Sequence, residues 1–190
     1  MFTPNLTSKL LVKGVRHTIN STEFNSFLEL GAGSGFITLG SFEGINTENL
    51  KIVSTDIMQE AKIIAEKNFS DASISVDFRV GSLFDPIKEN EKFDIIVSDV
   101  AAISENINEY LPWYDNVPCN TGESGLKLFN QIVSNISKYL NPKGKFVYPV
   151  LSLCNTSELE KNINAVFSKT DILETKDWPI KITNPELEIC

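Results

Sequence analysis

The chain has 190 residues, 42% hydrophobic and 22% charged, which suits one globular domain expected to span residues 1–190. No stretch approaches the ~20 continuous apolar residues of a membrane span, and the N-terminus lacks the pattern of a secretory leader. A net charge of −8 without a Lys/Arg cluster disfavours a nucleic-acid partner, since such proteins usually bind phosphates through a basic patch.

Short apolar runs alternate with amphipathic stretches along the chain. Several runs are continuously apolar, which is typical of strands buried on both faces of a parallel sheet. The predicted strands are Ser26–Leu30, Lys51–Thr55, Ser75–Val80, Phe93–Ser98, Lys145–Leu151, Asp171–Leu173 and Ile180–Ile182. The pattern predicts a Rossmann-like α/β fold, an open sheet of about seven strands with helices on both faces and an antiparallel last strand.

Apolar stripes at helical spacing predict the helices between these strands. The stripes begin at Leu10, Ile57, Leu126 and Leu159, and the last helix is expected to open with a capping box formed by Ser157 and Glu160. Asn141–Gly144 is expected to stop the third helix and turn the chain. These stripes are interpreted as packing faces, and ligands are expected at the carboxyl edge of the sheet, where the strand order reverses.

The first predicted strand runs directly into a glycine loop, Gly31-Ala32-Gly33-Ser34-Gly35. Closely spaced glycines let the backbone turn tightly and let a ligand approach main-chain amides, although a plain tight turn is the alternative interpretation. The Gly-x-Gly-x-Gly spacing differs from the dinucleotide fingerprint Gly-x-Gly-x-x-Gly.

Two acids accompany the loop. Glu29 lies two residues before the first glycine, where its carboxylate could face the ligand and pair with an ammonium group. Asp56 closes the second strand about 20 residues after the loop, the position of ribose-binding acids in nucleotide-type folds. The alternative for Asp56 is a helix N-cap, because a helical stretch follows it.

These motifs resemble those of the class I S-adenosylmethionine (SAM)-dependent methyltransferases. Glu29-Leu-Gly-Ala-Gly-Ser-Gly35 is similar to their first motif, and Val53-Ser-Thr-Asp-Ile57 to their second. The resemblance implies SAM as cofactor. It places Glu29, Gly31, Ala32, Gly33 and Gly35 around its methionine part, Asp56 on the ribose, Ser82 near the adenine amine, Ile57 and Leu83 against the adenine ring, and Thr3 near the carboxylate.

Within that superfamily the chain most resembles the release-factor glutamine methyltransferases and related small-domain enzymes. Phe93-Asp-Ile-Ile-Val-Ser-Asp99 is similar to the segment that leads into their Asn-Pro-Pro-Tyr motif, which is altered here to Asp99-Val-Ala-Ala102. Asp99 is therefore a candidate catalytic base, since a carboxylate can accept a proton from an attacking amine or hydroxyl. The alternative is an acid that caps the turn after its strand.

The segment 108–125 is predicted to be a long loop, which in a compact domain is usually functional or disordered. It carries three aromatic residues, Tyr110, Trp113 and Tyr114, which are predicted to bind substrate as a lid. A loop fastened to the surface by its own aromatic residues is the alternative. Glu123 is a second candidate base, or a favourable acid at the start of the next helix.

The predicted function is methyl transfer from SAM to nitrogen or oxygen of a small metabolite or a protein side chain. Two alternatives stay open: another SAM-type transfer such as aminopropyl transfer, and a SAM-binding module without activity. Three scattered cysteines indicate reduced thiols in a cytoplasmic protein, and no metal site is predicted.

Overall fold

The computed structural model describes residues 4–108 and 120–177. The chain alternates between strands and helices from its first helix onward, as expected of an α/β protein. The elements are α1 (Leu6–Ser21), β1 (Ser26–Leu30), α2 (Phe36–Phe42), β2 (Lys51–Asp56), α3 (Gln59–Asp71), β3 (Asp77–Val80), β4 (Phe93–Ser98), α4 (Glu105–Asn108), α5 (Lys127–Tyr139), β5 (Leu140–Val147) and α6 (Thr156–Asn164).

The described strands form one sheet of five, in the order β3-β2-β1-β4-β5, and every pairing is parallel. The prediction of about seven strands with an antiparallel last strand is wrong for this sheet. Asp171–Leu173 forms no strand: the side chain of Ile172 is 89% exposed, and Leu173 lies beside Gly14 on α1. Ile180–Ile182 lies outside the described residues.

Helices cover both faces of the sheet, because alternate side chains of the buried strands point to opposite sides. On one face α1 and α2 pack against Phe27, Ile52 and Ile95. On the other face α5 inserts Ile132 and Ile136. The two remaining hydrophobic clusters place α3 against β3 and α6 against α5.

Of two local predictions on the α5–α6 part of the chain, one is wrong and the other is confirmed in part. The cap of α6 is Asn155, whose side chain accepts a hydrogen bond from the Glu158 amide, so Ser157 lies inside the helix and forms no capping box with Glu160. The stop predicted at Asn141–Gly144 is confirmed, since α5 ends at Tyr139. These four residues lie within the bounds of β5, but the pairing moves from Phe93 with Leu140 directly to Ile95 with Lys145, so they form an irregularity in the strand. Pro142 is tolerated there because β5 is an edge strand of the described sheet.

The sheet order reverses between β1 and β4, since β2 and β3 lie on one side of β1 and β4 on the other. Ligands of open α/β sheets bind beyond the carboxyl ends of the strands at such a point. No helix within residues 4–108 and 120–177 is long and apolar enough to cross a bilayer.

Candidate functional site

A cavity of about 270 Å³ lies at the carboxyl edge of the sheet, close to the lower end of the usual range of ligand pockets. Segments that follow β1, β2, β3, β4 and β5 line it, together with the start of α1. It brings together nine of the predicted site residues: Glu29, Gly31, Ala32, Gly33, Asp56, Ile57, Ser82, Leu83 and Asp99. Thr3, Tyr110, Trp113 and Tyr114 lie outside the described residues.

The glycine loop is fastened to the end of β2. The amides of Gly31 and Ala32 both donate to the Thr55 carbonyl, at 2.8 and 2.9 Å. Gly33 has a φ of +54°, and a Cβ added there would meet nothing within 4 Å, so the loop leaves open space beside its backbone. Gly35 does not line the cavity and instead lies against the ring of Phe69 on α3.

The Asp56 carboxylate joins the loop to the second strand. Its Oδ2 accepts a hydrogen bond from the Gly33 amide at 2.8 Å, and its Oδ1 accepts one from the Met58 amide at 2.9 Å. The N-cap of α3 is Met58, so Asp56 closes a turn and does not cap the helix. Each carboxylate oxygen can accept a further hydrogen bond. The next side chain, Ile57, lines the cavity and is 61% exposed, an apolar surface available to a ligand.

The loop after β3 closes this side of the cavity. The Gly81 amide donates to the Asp56 carbonyl at 2.9 Å, and the Thr55 hydroxyl donates to the Leu83 carbonyl at 3.0 Å. Leu83 has a φ of +48°, a left-handed conformation that side-chain-bearing residues adopt at a cost of about 1–3 kcal/mol. The bond from Thr55 helps to hold it, and Ser82 and Leu83 both face the cavity.

Glu29 is fully buried, with 0% of its surface exposed. Its Oε2 accepts hydrogen bonds from both the amide and the hydroxyl of Thr38, which fixes α2 to β1. Its Oε1 is buried and has no partner among the described residues. The pKa of Glu29 is raised to about 8, mainly by burial and to a smaller extent by the charges of Asp99 and Asp56, against the opposing hydrogen bonds from Thr38.

Replacing Glu29 by glutamine is expected to flatten the pH dependence of stability. The pKa of Glu29 is about 8 in the folded chain against an ordinary 4.5, so the folded state binds the extra proton between these values. The free energy of unfolding should then fall as pH rises through this window, by up to about 1.4 kcal/mol per pH unit. Urea unfolding between about pH 6.5 and 8 checks this above the titration of Asp99, whose pKa is about 6. Equal slopes in both proteins would contradict it.

Asp99 follows β4 and faces α1. It continues the side of the strand that carries Ile95 and Val97, which pack against α1. The hydroxyl of Ser8 donates to Asp99 Oδ2 at 2.8 Å, the single hydrogen bond that this carboxylate accepts from the described residues. Burial raises the pKa of Asp99 to about 6, and the bond from Ser8 opposes that rise. No described backbone amide donates to Asp99, so its role as a turn cap finds no support.

Glu123 lies apart from this arrangement. It is exposed and borders a separate depression with Ser104, Asn106, Ser124 and Asn155. The structure therefore does not bring the second candidate base to the cavity that holds Asp99. Within the described part of the chain, no group of three or more His, Cys, Asp or Glu residues is placed to hold a metal ion.

Sequence reasoning did not identify several residues of the cavity wall: Asn5, Ser8, Asn120, Leu128, Pro149 and Leu151. One local signal was available for the first two. Asn5 is the N-cap of α1 and forms a capping box with Ser8, a spacing that marks the start of a helix. The others reach the cavity through tertiary packing, which leaves no local pattern.

A protein-family model described as "Methyltransferase domain" matches residues 22–184. The chain is 32% identical over 136 residues to a bifunctional methyltransferase of Rickettsia felis, covering 67% of this chain and 25% of that protein. It is 30% identical over 148 residues to a release factor glutamine methyltransferase of Thermodesulfovibrio yellowstonii, covering 74% of this chain and 52% of the relative. The chain thus spans between a quarter and about half of the length of these relatives.

Solved structures share the fold at low sequence identity. A ribosomal protein L11 methylase from Lactobacillus delbrueckii aligns with a TM-score of 0.63 and 16% identity, covering 87% of this chain and 70% of that one. A 16S rRNA methyltransferase from T. thermophilus, solved with AdoMet and guanosine, aligns with a TM-score of 0.68 and 15% identity, covering 92% of this chain and 41% of that one.

Proposed function

Because the chain belongs to the methyltransferase-domain family, which uses S-adenosyl-L-methionine, we propose that it transfers the SAM methyl group to nitrogen or oxygen of a small metabolite or a protein side chain. The observation that carries this proposal is the half-buried carboxylate of Asp99 in the cavity between the ends of β1 and β4. It lies where an acceptor would meet the glycine loop across the switch point of the sheet.

The cavity residues fit the cofactor on three observations. The buried Oε1 of Glu29 has no described partner, which suits the ammonium group of the methionine part. The open space beside Gly33 leaves room for a ligand against the backbone. The exposed Ile57 and the left-handed Leu83 offer apolar surface suited to the adenine ring, with Asp56 between the two loops for the ribose hydroxyls.

When bound, SAM supplies a sulfonium methyl group, and its transfer forms a bond to the acceptor atom while the broken carbon–sulfur bond leaves its electron pair on a neutral thioether. The acceptor must then present a lone pair and lose a proton. Asp99 is placed to accept that proton, and its pKa of about 6 leaves it ionised at neutral pH. The surrounding apolar walls hold the acceptor in one orientation.

The proposed class of acceptor rests on the charge of the chain and of the cavity wall, and not on the fold. The fold is shared with a 16S rRNA methyltransferase, so it provides no argument against a nucleic-acid substrate. A net charge of −8 and three acids on the cavity wall disfavour a phosphate-bearing acceptor. We further propose that residues 1–190 form a single domain and that the protein acts in the cytoplasm.

Replacing Gly33 by alanine is expected to weaken SAM binding about 10-fold or more while costing only about 1–2 kcal/mol of stability, because the added Cβ strains a left-handed backbone and projects into open space. Isothermal titration with SAM measures the first effect, and urea unfolding the second. Gly44→Ala is the matched control, because Gly44 also has a positive φ and open space but does not line the cavity. Equal SAM affinities in the two variants would contradict this placement of the cofactor.

Incubation of the protein with methyl-labelled SAM and fractionated extract tests the activity itself. Label recovered on a small molecule or a protein supports the proposal. SAM binding without any transfer supports a binding module, and label on nucleic acid overturns the proposed acceptor class.

A further inference from the structure

The cavity wall includes residues that the predicted cofactor contacts leave unused. Five of them are apolar, Val100, Ala101, Leu128, Pro149 and Leu151, and three are polar, Asn5, Ser8 and Asn120. The Asn5 side chain already accepts hydrogen bonds from two amides of α1, and Ser8 already donates to Asp99. Asn120 Oδ1 accepts from Lys127. The side-chain oxygens of both asparagines and the hydroxyl of Ser8 are therefore already engaged within the protein.

The ionisable groups on the described wall are all acids. Glu29, Asp56 and Asp99 line the cavity, and no Lys, Arg or His does so within residues 4–108 and 120–177. The remaining loop sequence, residues 109–119, contains no basic residue. An acceptor that carries phosphate or carboxylate would thus find no cation among the described residues of the wall, and would face the carboxylates of Asp56 and Asp99.

Asp99 has hydrogen-bonding capacity to spare. Ser8 holds Oδ2, and no described residue donates to Oδ1. An ionised carboxylate only accepts hydrogen bonds, so its complement is a group that only donates, and an ammonium group is such a group. The asparagine that it replaces in the resembled motif both donates and accepts, which suits an amide. An amide or a nucleobase edge also carries an acceptor, which the carboxylate of Asp99 cannot satisfy.

Together these observations lead us to propose that the methyl acceptor is an aliphatic amine, which enters as an ammonium ion held by Asp99 with its stem along Val100, Leu128 and Leu151. This inference rests on the proposed function. One ammonium proton passes to Asp99 Oδ1 and leaves the nitrogen lone pair free; the nitrogen then gains the methyl group as described above, and Asp99 returns its proton to solvent. Burial of the charged carboxylate is offset by the cation that binds it.

A binding experiment tests this without relying on turnover. The probes are n-butylamine and the peptide acetyl-Ala-Lys-Ala-amide, compared with butyramide, n-butanol and butyrate, each titrated by NMR into the protein saturated with S-adenosylhomocysteine. The amine is expected to bind at least about tenfold more tightly than the three comparison compounds, and Asp99→Asn should remove this preference. Binding of butyramide or butyrate as tightly as the amine would overturn the inference, as would an unchanged preference in Asp99→Asn.

The control variant is Asp71→Asn, which removes the same charge from an exposed ion pair with Lys67 at the end of α3. It should leave amine binding unchanged. The free amine and the lysine peptide separate a small-molecule source from a protein side chain. If the amine binds but no methyl group is transferred from labelled SAM, the proposed function is contradicted and the preference of the cavity for an amine is kept. If the methyl group is transferred to another acceptor and the amine does not bind, the proposed function is kept and this inference is contradicted.

Discussion

Asp99→Asn is expected to lower the rate of methyl transfer by about 100- to 10,000-fold, the usual contribution of a positioned base. Asparagine has nearly the same shape but cannot take up a proton at neutral pH, so the acceptor would have to lose its proton to water. The bond from Ser8 to Oδ2 can be kept by the amide oxygen, which preserves the local structure. Single-turnover kinetics with labelled SAM measure the rate.

Cofactor binding separates this effect from misfolding. The affinity for S-adenosylhomocysteine should stay within about twofold of the wild type, because the predicted cofactor contacts lie at Glu29, Gly33 and Asp56. A variant that keeps the full rate would disprove the assignment of Asp99 as base.

The wild-type rate should also fall by half near pH 6, where the pKa of Asp99 lies, since the protonated acid cannot accept a second proton. The hydrogen bond from Ser8 lowers the pKa of Asp99. Ser8→Ala removes this bond and should therefore move the midpoint to higher pH.

Gly35→Ala is expected to cost about 2–5 kcal/mol of the free energy of unfolding, a large share of the stability of an ordinary domain. Gly35 has a φ of +78°, and an added Cβ would lie 2.4 Å from Phe69 Cζ. The Phe69 ring is 3% exposed and packed within the α3 cluster, so it cannot move aside freely. Urea unfolding monitored by circular dichroism measures the loss.

Gly44 provides a matched comparison for this substitution. It has the same φ of +78°, with nothing within 4 Å of an added Cβ. Gly44→Ala should therefore cost only the backbone strain, about 1–2 kcal/mol. In a Phe69→Ala background the excess cost of Gly35→Ala should disappear, since the clashing ring is gone. Equal costs for both glycine variants in the wild-type background would contradict the proposed clash.

The strands that flank the cavity could be predicted because their signal is local. β1 and β4 are mostly apolar runs bounded by charged or turn residues, and the predicted bounds Ser26–Leu30 and Phe93–Ser98 are those of the structure. β2 extends one residue further, to Asp56. The sequence signals of the glycine loop and of its two acids are equally local, since each lies at a fixed distance along the chain from the end of a strand.

The errors arise where distant pairing decides the structure. β5 begins at Leu140 and not at the predicted Lys145, because one further pairing, between Leu140 and Phe93, forms on the far side of the irregularity at Asn141–Gly144. The short run Asp171–Leu173 resembles a strand, but no strand of the described sheet pairs with it. Glu123 lies within the predicted loop 108–125, and the path of the backbone places it on another part of the surface, away from Asp99.

The bond between Ser8 and Asp99 joins residues that are 91 positions apart in the chain. Parallel sheets with such distant contacts fold slowly, because long segments must be ordered before the contacts form. During synthesis α1 emerges first, yet its partner is made only after β1, β2 and β3. The carboxylate therefore acquires its buried environment only after α1 docks onto β4. In a refolding experiment the rise in the pKa of Asp99 would report the final assembly of the domain.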